Sequence, residues 1–364
     1  MSFPEEGGDG GPGAAGRSSG SGAAGSGGGA EHGAGLWAGL SPDFPEGDLD
    51  ELLEAQGLGR RLVPAPLREG FQRVELAGGG HVAIKVSRTR GQLEGEAFGL
   101  GLIFAASRHA SFLDKSAAFS VPEVHFGCRT AGTTYLASSI LDLSSPPAGN
   151  ADWHLAGRAL VALQRAGGEL RARTGAGAPA WGLEYDTWLG GTLQANACEQ
   201  GTSWPQFFAR NRLGRLIVEL GGQLDPGTCA MLERILARID GLLPADVEAL
   251  LLHGDLWPGN FSCLADAPRN AGGAAGARLA LWDPAVSFGH CLSDLAMATM
   301  FGGVPEAFYR GYAEAAETDL ASADTRAQLA VYRLYHFLNH QLLFGNSYTG
   351  SVAATVREIC SYIA

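Results

Sequence analysis

The residues best suited to chemistry lie in two short stretches. His253-Gly254-Asp255-Leu256-Trp257-Pro258-Gly259-Asn260 is followed, after a loop, by Leu281-Trp282-Asp283-Pro284. Phosphoryl transfer requires a carboxylate to accept or orient the proton of the attacking hydroxyl, and oxygen ligands that hold Mg²⁺ on the phosphates. An Asp followed five residues later by an Asn offers both from one loop. On this reading Asp255 is the catalytic base, Asn260 a metal ligand, and Asp283, ending an apolar strand, the second metal ligand. Mg²⁺ suits the set because it takes hard oxygen donors and keeps several waters. Any one of these carboxylates could merely cap a helix in a turn rich in Gly, Pro and Asp; the combination and its spacing point to phosphoryl transfer.

The spacing matches the protein-kinase loop H-R-D-x-x-x-x-N, with Gly254 in place of Arg. Val82-Ala83-Ile84-Lys85 is the matching upstream piece. Its β-branched residues mark a strand, from which Lys85 would reach the nucleotide phosphates. The chain has only two lysines, Lys85 and Lys115, so a strong bias against lysine has spared this one. A glutamate on the next helix should hold it; Glu96 is placed for that, with Glu94 as second choice. A G-x-G-x-x-G phosphate loop should precede the strand, but Leu67-Arg68-Glu69-Gly70-Phe71-Gln72 offers one glycine. Backbone amides of another turn geometry would have to cover the phosphates.

Positioning these groups calls for two kinds of structure. From Asp48 a short capped helix leads to strands over 71–76 and 81–86, joined by a turn at Gly78-Gly79-Gly80. A helix follows over 92–107, then strands over 121–127 and 133–141. After Pro146-Pro147 the pattern becomes helical, at 151–173, 203–220, 225–240, 304–316, 324–344 and 351–363, interrupted by short strands at 249–252 and 279–282. The expected organisation is α+β: a nucleotide lobe over 36–142 built on a small antiparallel sheet, and a larger, mainly helical catalytic and substrate lobe over 143–364. Residues 1–35 are Gly, Ala and Ser with almost nothing apolar, and cannot repay the entropy of ordering. A transit peptide to plastid or mitochondrion would have Arg in excess, whereas Glu5, Glu6 and Asp9 face a lone Arg17. With no apolar run of membrane-spanning length and no signal peptide, the expectation is a cytoplasmic protein with no membrane partner. A net charge of −12 excludes the basic face a nucleic-acid partner needs. The six cysteines form no C-x-x-C pair, which suggests buried thiols and neither a zinc site nor a disulfide framework.

The loop His253 to Asn260 resembles the H-G-D-L-W-x-G-N motif of fructosamine 3-kinases and related ketosamine kinases. Asp283-Pro284-Ala285 with Phe288-Gly289-His290 is similar to their D-P-A-x-x-Y-G-H, and Asp294-Leu295-Ala296-Met297 follows as it does there. Leu338-Asn339-His340 and the segment from Phe344 to Ser351 resemble their closing L-N-H…F-G-x-x-Y-x-G-S. Trp181-Gly182-Leu183 and the stretch from Trp204 to Leu213 are like the segment that joins their lobes. The likeness runs from about residue 60 to the C-terminus. It implies a two-lobed, protein-kinase-like fold with ATP in the cleft and its adenine near the linker Ser138, Ser139, Ile140 and Leu141. It also implies phosphorylation of the third hydroxyl of a ketosamine, such as fructosamine or ribulosamine on a lysine of a glycated protein, after which the adduct breaks down and frees the amine. Trp257 would offer an apolar face to the sugar, or pack in the core. Asn339 and His340 could contact the sugar or make a buried hydrogen bond, and His290 and Asp294 would cap or brace the helix after the metal loop. The Ala/Gly-rich insertion from Ala265 to Ala277 departs from the family and reads as a surface excursion.

Two readings of other classes compete. An aminoglycoside- or choline-type kinase would keep Lys85, Asp255, Asn260 and Asp283 and differ in its acceptor pocket. A nucleotide-binding pseudokinase scaffold is favoured by the glycine-poor loop and opposed by the intact acids. The composition of the tail makes a prediction independent of either: deleting residues 1–35 should leave Tm and ATP turnover unchanged, and a large fall in Tm in a thermal scan would show that the tail packs.

Overall fold

The computed structural model describes residues 44–363 except 64, 115, 145–147, 175–179 and 266–276. The tail over 1–35, and the Ala265–Ala277 insertion apart from its two ends, lie outside the described residues. The chain begins with helix α1 (Leu49–Ala55), started by Asp48, whose carboxylate accepts from the N–H groups of Asp50 and Glu51. Strands β1 (Gly70–Glu75) and β2 (His81–Ser87) form a hairpin, helix α2 (Gln92–Leu113) follows, and then come β3 (Phe119–Ser120), β4 (Val124–Thr130) and β5 (Thr133–Ser138). Four of these strands make one antiparallel sheet in the order β1-β2-β5-β4.

Period-two alternation on β2 gives that sheet its two faces. Val82, Ile84 and Val86 point one way, into a core with Leu49 and Leu53 of α1. Ala83 and Lys85 point the other way, the face on which Leu136 of β5 packs with Leu93 and Ala97 of α2. Helix α2 runs six residues beyond the expected end at 107, with Ala110 buried in the added part, and its Leu102, Ile103 and Ala106 join the core of the second lobe. Likewise β3 precedes residue 142 but pairs with a strand of the second lobe.

The rest of the chain is mainly helical: α3 (Asn150–Thr174), the hairpin β6 (Thr187–Leu189) and β7 (Thr192–Gln194), α4 (Trp204–Phe208), α5 (Arg215–Leu220), α6 (Pro226–Ala237) and α7 (Ile239–Leu242). The site strands are β8 (Leu250–Leu252), β9 (Phe261–Ala265), β10 (Ala277–Leu281) and β11 (Ser287–Gly289), and α8 (Leu292–Ala298), α9 (Glu306–Ala316), α10 (Ala323–Phe344) and α11 (Thr349–Tyr362) close the fold. The expected helix over 203–220 is broken by a π-helical turn, Ala209–Gly214, which carries the buried Asn211 and Arg212. Among the described residues, β3, β6, β7, β9 and β11 are strands the alternation of apolar residues did not reveal. All are short; β3 and β11 are held by partners distant in sequence, whereas β6 and β7 pair with each other and β9 with the next strand.

Helices α3 and α9 cross backbone to backbone at paired glycines. A Cβ on Gly157 would lie 2.0 Å from the Phe308 carbonyl oxygen, and one on Gly311 2.0 Å from that of His154. Adding a methyl there forces the helices apart, at about 1–3 kcal/mol, more than the ~1 kcal/mol of helix propensity it gains. Gly311→Ala is therefore expected to lower Tm by several degrees in a thermal melt; an unchanged or raised Tm would show that the crossing can widen freely.

Candidate active site

The loop 253–260 hangs between β8 and β9, and β10, antiparallel to β9, delivers Asp283 just beyond its end. Trp282 N–H donates to the Asn260 carbonyl (3.0 Å) and Ala285 N–H to the His253 carbonyl (2.8 Å), so the loop and the Asp283 turn are bonded directly. Gly254 sits in this contact with φ +81°, and a Cβ would come within 1.9 Å of the Ala285 carbonyl oxygen. No side chain fits there, which accounts for glycine where the protein-kinase loop has Arg. Asp283 itself has φ 54°, a left-handed conformation that Asp tolerates better than most residues.

Asp294 on α8 holds the loop from beneath. Its carboxylate is 1% exposed and accepts from the backbone N–H of His253 (2.9 Å), the N–H of Gly254 (2.8 Å) and the Gln164 amide (3.0 Å). Burial raises its pKa to about 6, against the pull of those hydrogen bonds. Asp294 thus braces the loop 253–260 and not only its own helix. His253, fully buried, donates from Nε2 to the Trp282 carbonyl (3.0 Å) and accepts at Nδ1 from Asp255 N–H (3.3 Å). Burial lowers its pKa to about 4, which fits this neutral tautomer. His290 is elsewhere, its Nδ1 2.7 Å from the Tyr332 hydroxyl.

Asp255 accepts from the Asn260 amide at 2.8 Å, and the same NH₂ group lies 3.1 Å from the Asp255 carbonyl and 3.4 Å from that of Asp283. Asn260 thereby commits its nitrogen inward, and no described residue donates to its amide oxygen. Burial, only partly countered by Asn260 and reinforced by Asp283 and Asp294, pushes Asp255 up to about 7. Lys85 Nζ lies 2.6 Å from both Glu96 Oε1 and Asp283 Oδ1. Burial works against its charge, but Glu96 and then Asp283 outweigh it, and its pKa is raised. Glu94 is occupied instead by Arg129, whose Nε donates at 2.9 Å.

Two cavities meet at this point. One, about 360 Å³, is lined by Phe71, Ala83, Leu100, Trp282 and the linker residues Ser138, Ser139, Ile140 and Leu141. The other, about 280 Å³, is lined by Asp255, Trp257, Asn260, Gln92, Trp188 and Gly190. Lys85, Glu96 and Asp283 belong to both. Among the described residues no cluster of three or more His, Cys, Asp or Glu could hold an ion. The donors available at the junction are Asp283, 45% exposed at its side chain, and the Asn260 oxygen. So sparse a set of hard oxygens suits an ion that draws its other ligands from water and phosphate. The single glycine of the upstream loop, Gly70, opens β1 with φ 97°, beside the exposed Phe71. Asn339 is buried, with its Oδ1 unbonded, and His340 donates to the His336 carbonyl (2.7 Å) within a ring cluster of Phe301, Phe344 and Tyr348; neither lines the smaller cavity.

The residues that the sequence left unmarked are the ones that hold the hairpin β6–β7. Gln194 donates to the Ala285 carbonyl (3.2 Å) and to Thr187 Oγ1 (2.9 Å), and Asn196 donates to the same hydroxyl (2.9 Å). Arg212 from the π turn donates to Asn196 Oδ1 (2.8 Å) and stacks on Phe207. Thr187, Gln194 and Asn196 are ordinary polar side chains in sequence, and Arg212 lies in the Trp204–Leu213 stretch noted only for its likeness; burial and their hydrogen bonds to one another single them out.

The fructosamine kinase family matches residues 103–361. A probable ketoamine kinase from Synechocystis is 34% identical over 60% of this chain and 65% of its own length. One from Vibrio vulnificus is 33% identical over 50% and 57% respectively, so the chain spans less than two thirds of either relative. A chloroplastic protein-ribulosamine 3-kinase from Arabidopsis thaliana is 28% identical over 77% of this chain and 76% of its own. The crystal structure of a candidate fructosamine-3-kinase from Thermobifida fusca superposes with a TM-score of 0.63 and 26% identity, covering 85% of this chain and 97% of that one. An aminoglycoside phosphotransferase bound to ADP and hygromycin B, at 16% identity and TM-score 0.52 over 86% and 98%, shares the fold alone. No helix among the described residues is long and apolar enough to cross a membrane.

The raised pKa of Asp255 has a measurable consequence for stability. Folding moves this carboxyl from near 3.8 to about 7, so the folded state holds a proton the unfolded state has lost, and stability falls as pH rises through that window. Asp255→Asn cannot lose that proton. Its Tm relative to the natural protein should rise between pH 5 and pH 8; a constant difference across that range would refute the shift.

Proposed function

Because the chain belongs to the fructosamine kinase family, we propose that it transfers the γ-phosphoryl group of ATP to the 3-hydroxyl of a ketosamine, fructosamine or ribulosamine carried on a lysine of a glycated protein. The observation that carries this reading is the junction of two cavities at Lys85, Glu96 and Asp283. ATP occupies the cavity under the sheet, its adenine against Ser138 to Leu141 and its phosphates toward Lys85. The sugar occupies the cavity containing Asp255. The family match begins at 103, so the roles of Lys85 and Glu96 rest on this geometry and on the sequence pattern.

In this mechanism Asp255 accepts the proton of the sugar hydroxyl as its oxygen attacks phosphorus. A neutral hydroxyl is a weak nucleophile, so alignment and charge neutralisation supply most of the acceleration. Asn260 keeps Asp255 oriented through its amide and, with Asp283, would hold a Mg²⁺ ion, which when bound would neutralise charge on the phosphates. Lys85, kept in place by Glu96, adds a further positive charge there. For Asp283 to serve as a metal ligand its salt bridge to Lys85 would have to give way, and Glu96 would then position the lysine. Trp257, 39% exposed at the cavity edge, supplies a flat apolar wall.

ATP consumption with Mg²⁺ and a ribulosamine- or fructosamine-bearing lysine should proceed, and should be much slower with choline or an aminoglycoside. Asp255→Asn should lower kcat about 10²–10⁴-fold while ATP binding persists. Turnover with aminoglycoside alone, or an unimpaired Asp255→Asn, would sink the assignment. Lys85→Ala should instead lower kcat/KM for ATP by about tenfold or more, as expected on losing a charge at the phosphates.

A further inference from the structure

We propose that the β6–β7 hairpin is the acceptor-side clamp of this site, with Trp188 as a platform for the sugar and Gln92 as the link between the clamp and the nucleotide-binding strand. The inference rests on the ketosamine kinase reading above. Trp188 lies midway along β6 between Thr187 (1% exposed) and Leu189 (3%), both buried in the lobe. Alternation turns Trp188 to the other side, where it is half-buried and lines the cavity of Asp255 together with Trp257. A carbon added at Gly91 would meet its indole nitrogen at 3.4 Å, which places the ring at the start of α2. No described residue accepts a hydrogen bond from that nitrogen, so it is available to a sugar hydroxyl. Two indoles from separate elements, among carboxylates and an amide, offer a sugar both apolar faces for its C–H surfaces and polar partners for its hydroxyls.

The hairpin is also tied across the cleft. Ser87, two residues along β2 from Lys85, donates to Gln92 Oε1 at 2.6 Å, and Gln92 Nε2 donates to the Gly190 carbonyl at 2.8 Å. Gly190 opens the two-residue turn with φ 60°, the conformation a tight hairpin assigns to glycine. The tip also rests on the large lobe, where a carbon on Gly191 would lie 3.1 Å from Leu343. Its base is fixed by Gln194 to the Ala285 carbonyl, two residues from Asp283. Gln92 thus couples the strand that carries Lys85 to the wall that holds the acceptor.

Steady-state kinetics with ATP and a ketosamine-bearing lysine test this, with Tm recorded for each variant. Trp188→Ala should raise acceptor KM about tenfold, the worth of one aromatic contact, while KM for ATP moves less than about twofold. Trp188→Phe should recover most of the loss. Should Trp188→Ala fail to fold, Trp188→Leu, which retains bulk without a ring, is read in the same way. Gln92→Ala should raise acceptor KM and lower kcat together, leaving the Tm close to the natural value. Turnover by the natural protein with acceptor KM unchanged in the Trp188 variants would overturn the clamp alone. Absence of ketosamine turnover in the natural protein would overturn the kinase reading, and the clamp with it.

Discussion

Lys85 joins a carboxylate from each lobe, Glu96 on α2 and Asp283 beyond β10, with both bonds at 2.6 Å. Charges in so confined a cleft are costly to desolvate and strongly attracted to one another, so the arrangement holds only if all three are delivered accurately. The neighbouring elements meet that demand. Lys85 is aimed by the alternation of β2, whose opposite face is fixed in the core under α1. Glu96 is aimed by α2, anchored at its far end in the core of the other lobe. Asp283 is aimed by β10, paired on one side to β9 and on the other to β3.

The loop 253–260 depends on a second device, backbone amides bound by a buried acid. Asp294 accepts from two consecutive N–H groups, and Gly254 allows the chain to close on the Ala285 carbonyl. Asp255 and Asn260 are consequently held by main chain on one side and by each other on the other. Burial raises the pKa of Asp255 toward neutrality, and the nearby charges of Asp283 and Asp294 add to the shift against the hydrogen bond from Asn260.

Arg212 shows how far the support extends. It is 3% exposed and bonded to neutral partners, the Asn196 amide oxygen and the Ala195 carbonyl, with Tyr335 and Phe207 against its plane. Burial lowers its pKa, while the guanidinium spreads its charge over several neutral acceptors with the charge of Asp186 nearby. The π turn places it there by displacing the helix for one turn, a distortion that recurs at functional sites. From Arg212 the bonds run through Asn196, Thr187 and Gln194 to Ala285, so a distant helix fixes the hairpin and the hairpin fixes the Asp283 turn.

Much of this was legible in the sequence because it is local. The cap at Asp48, the alternation around Lys85, the spacing from Asp255 to Asn260 and the apolar run before Asp283 each depend on neighbours within a few residues. Those signals were enough to read the α+β class, to propose kinase-like chemistry and to choose Glu96, whose helical position faces the strand. Tertiary structure alone decided which groups converge: Lys85 and Asp283 are 198 residues apart, and Gln92 and Gly190 are 98 apart. It also gave Asp294 its role under the loop, made strands of segments three residues long, and set Trp188 beside Asp255. The reason is physical. A short strand or a lone polar side chain has too little intrinsic preference to declare itself, and its conformation and function follow from partners that only the folded chain supplies.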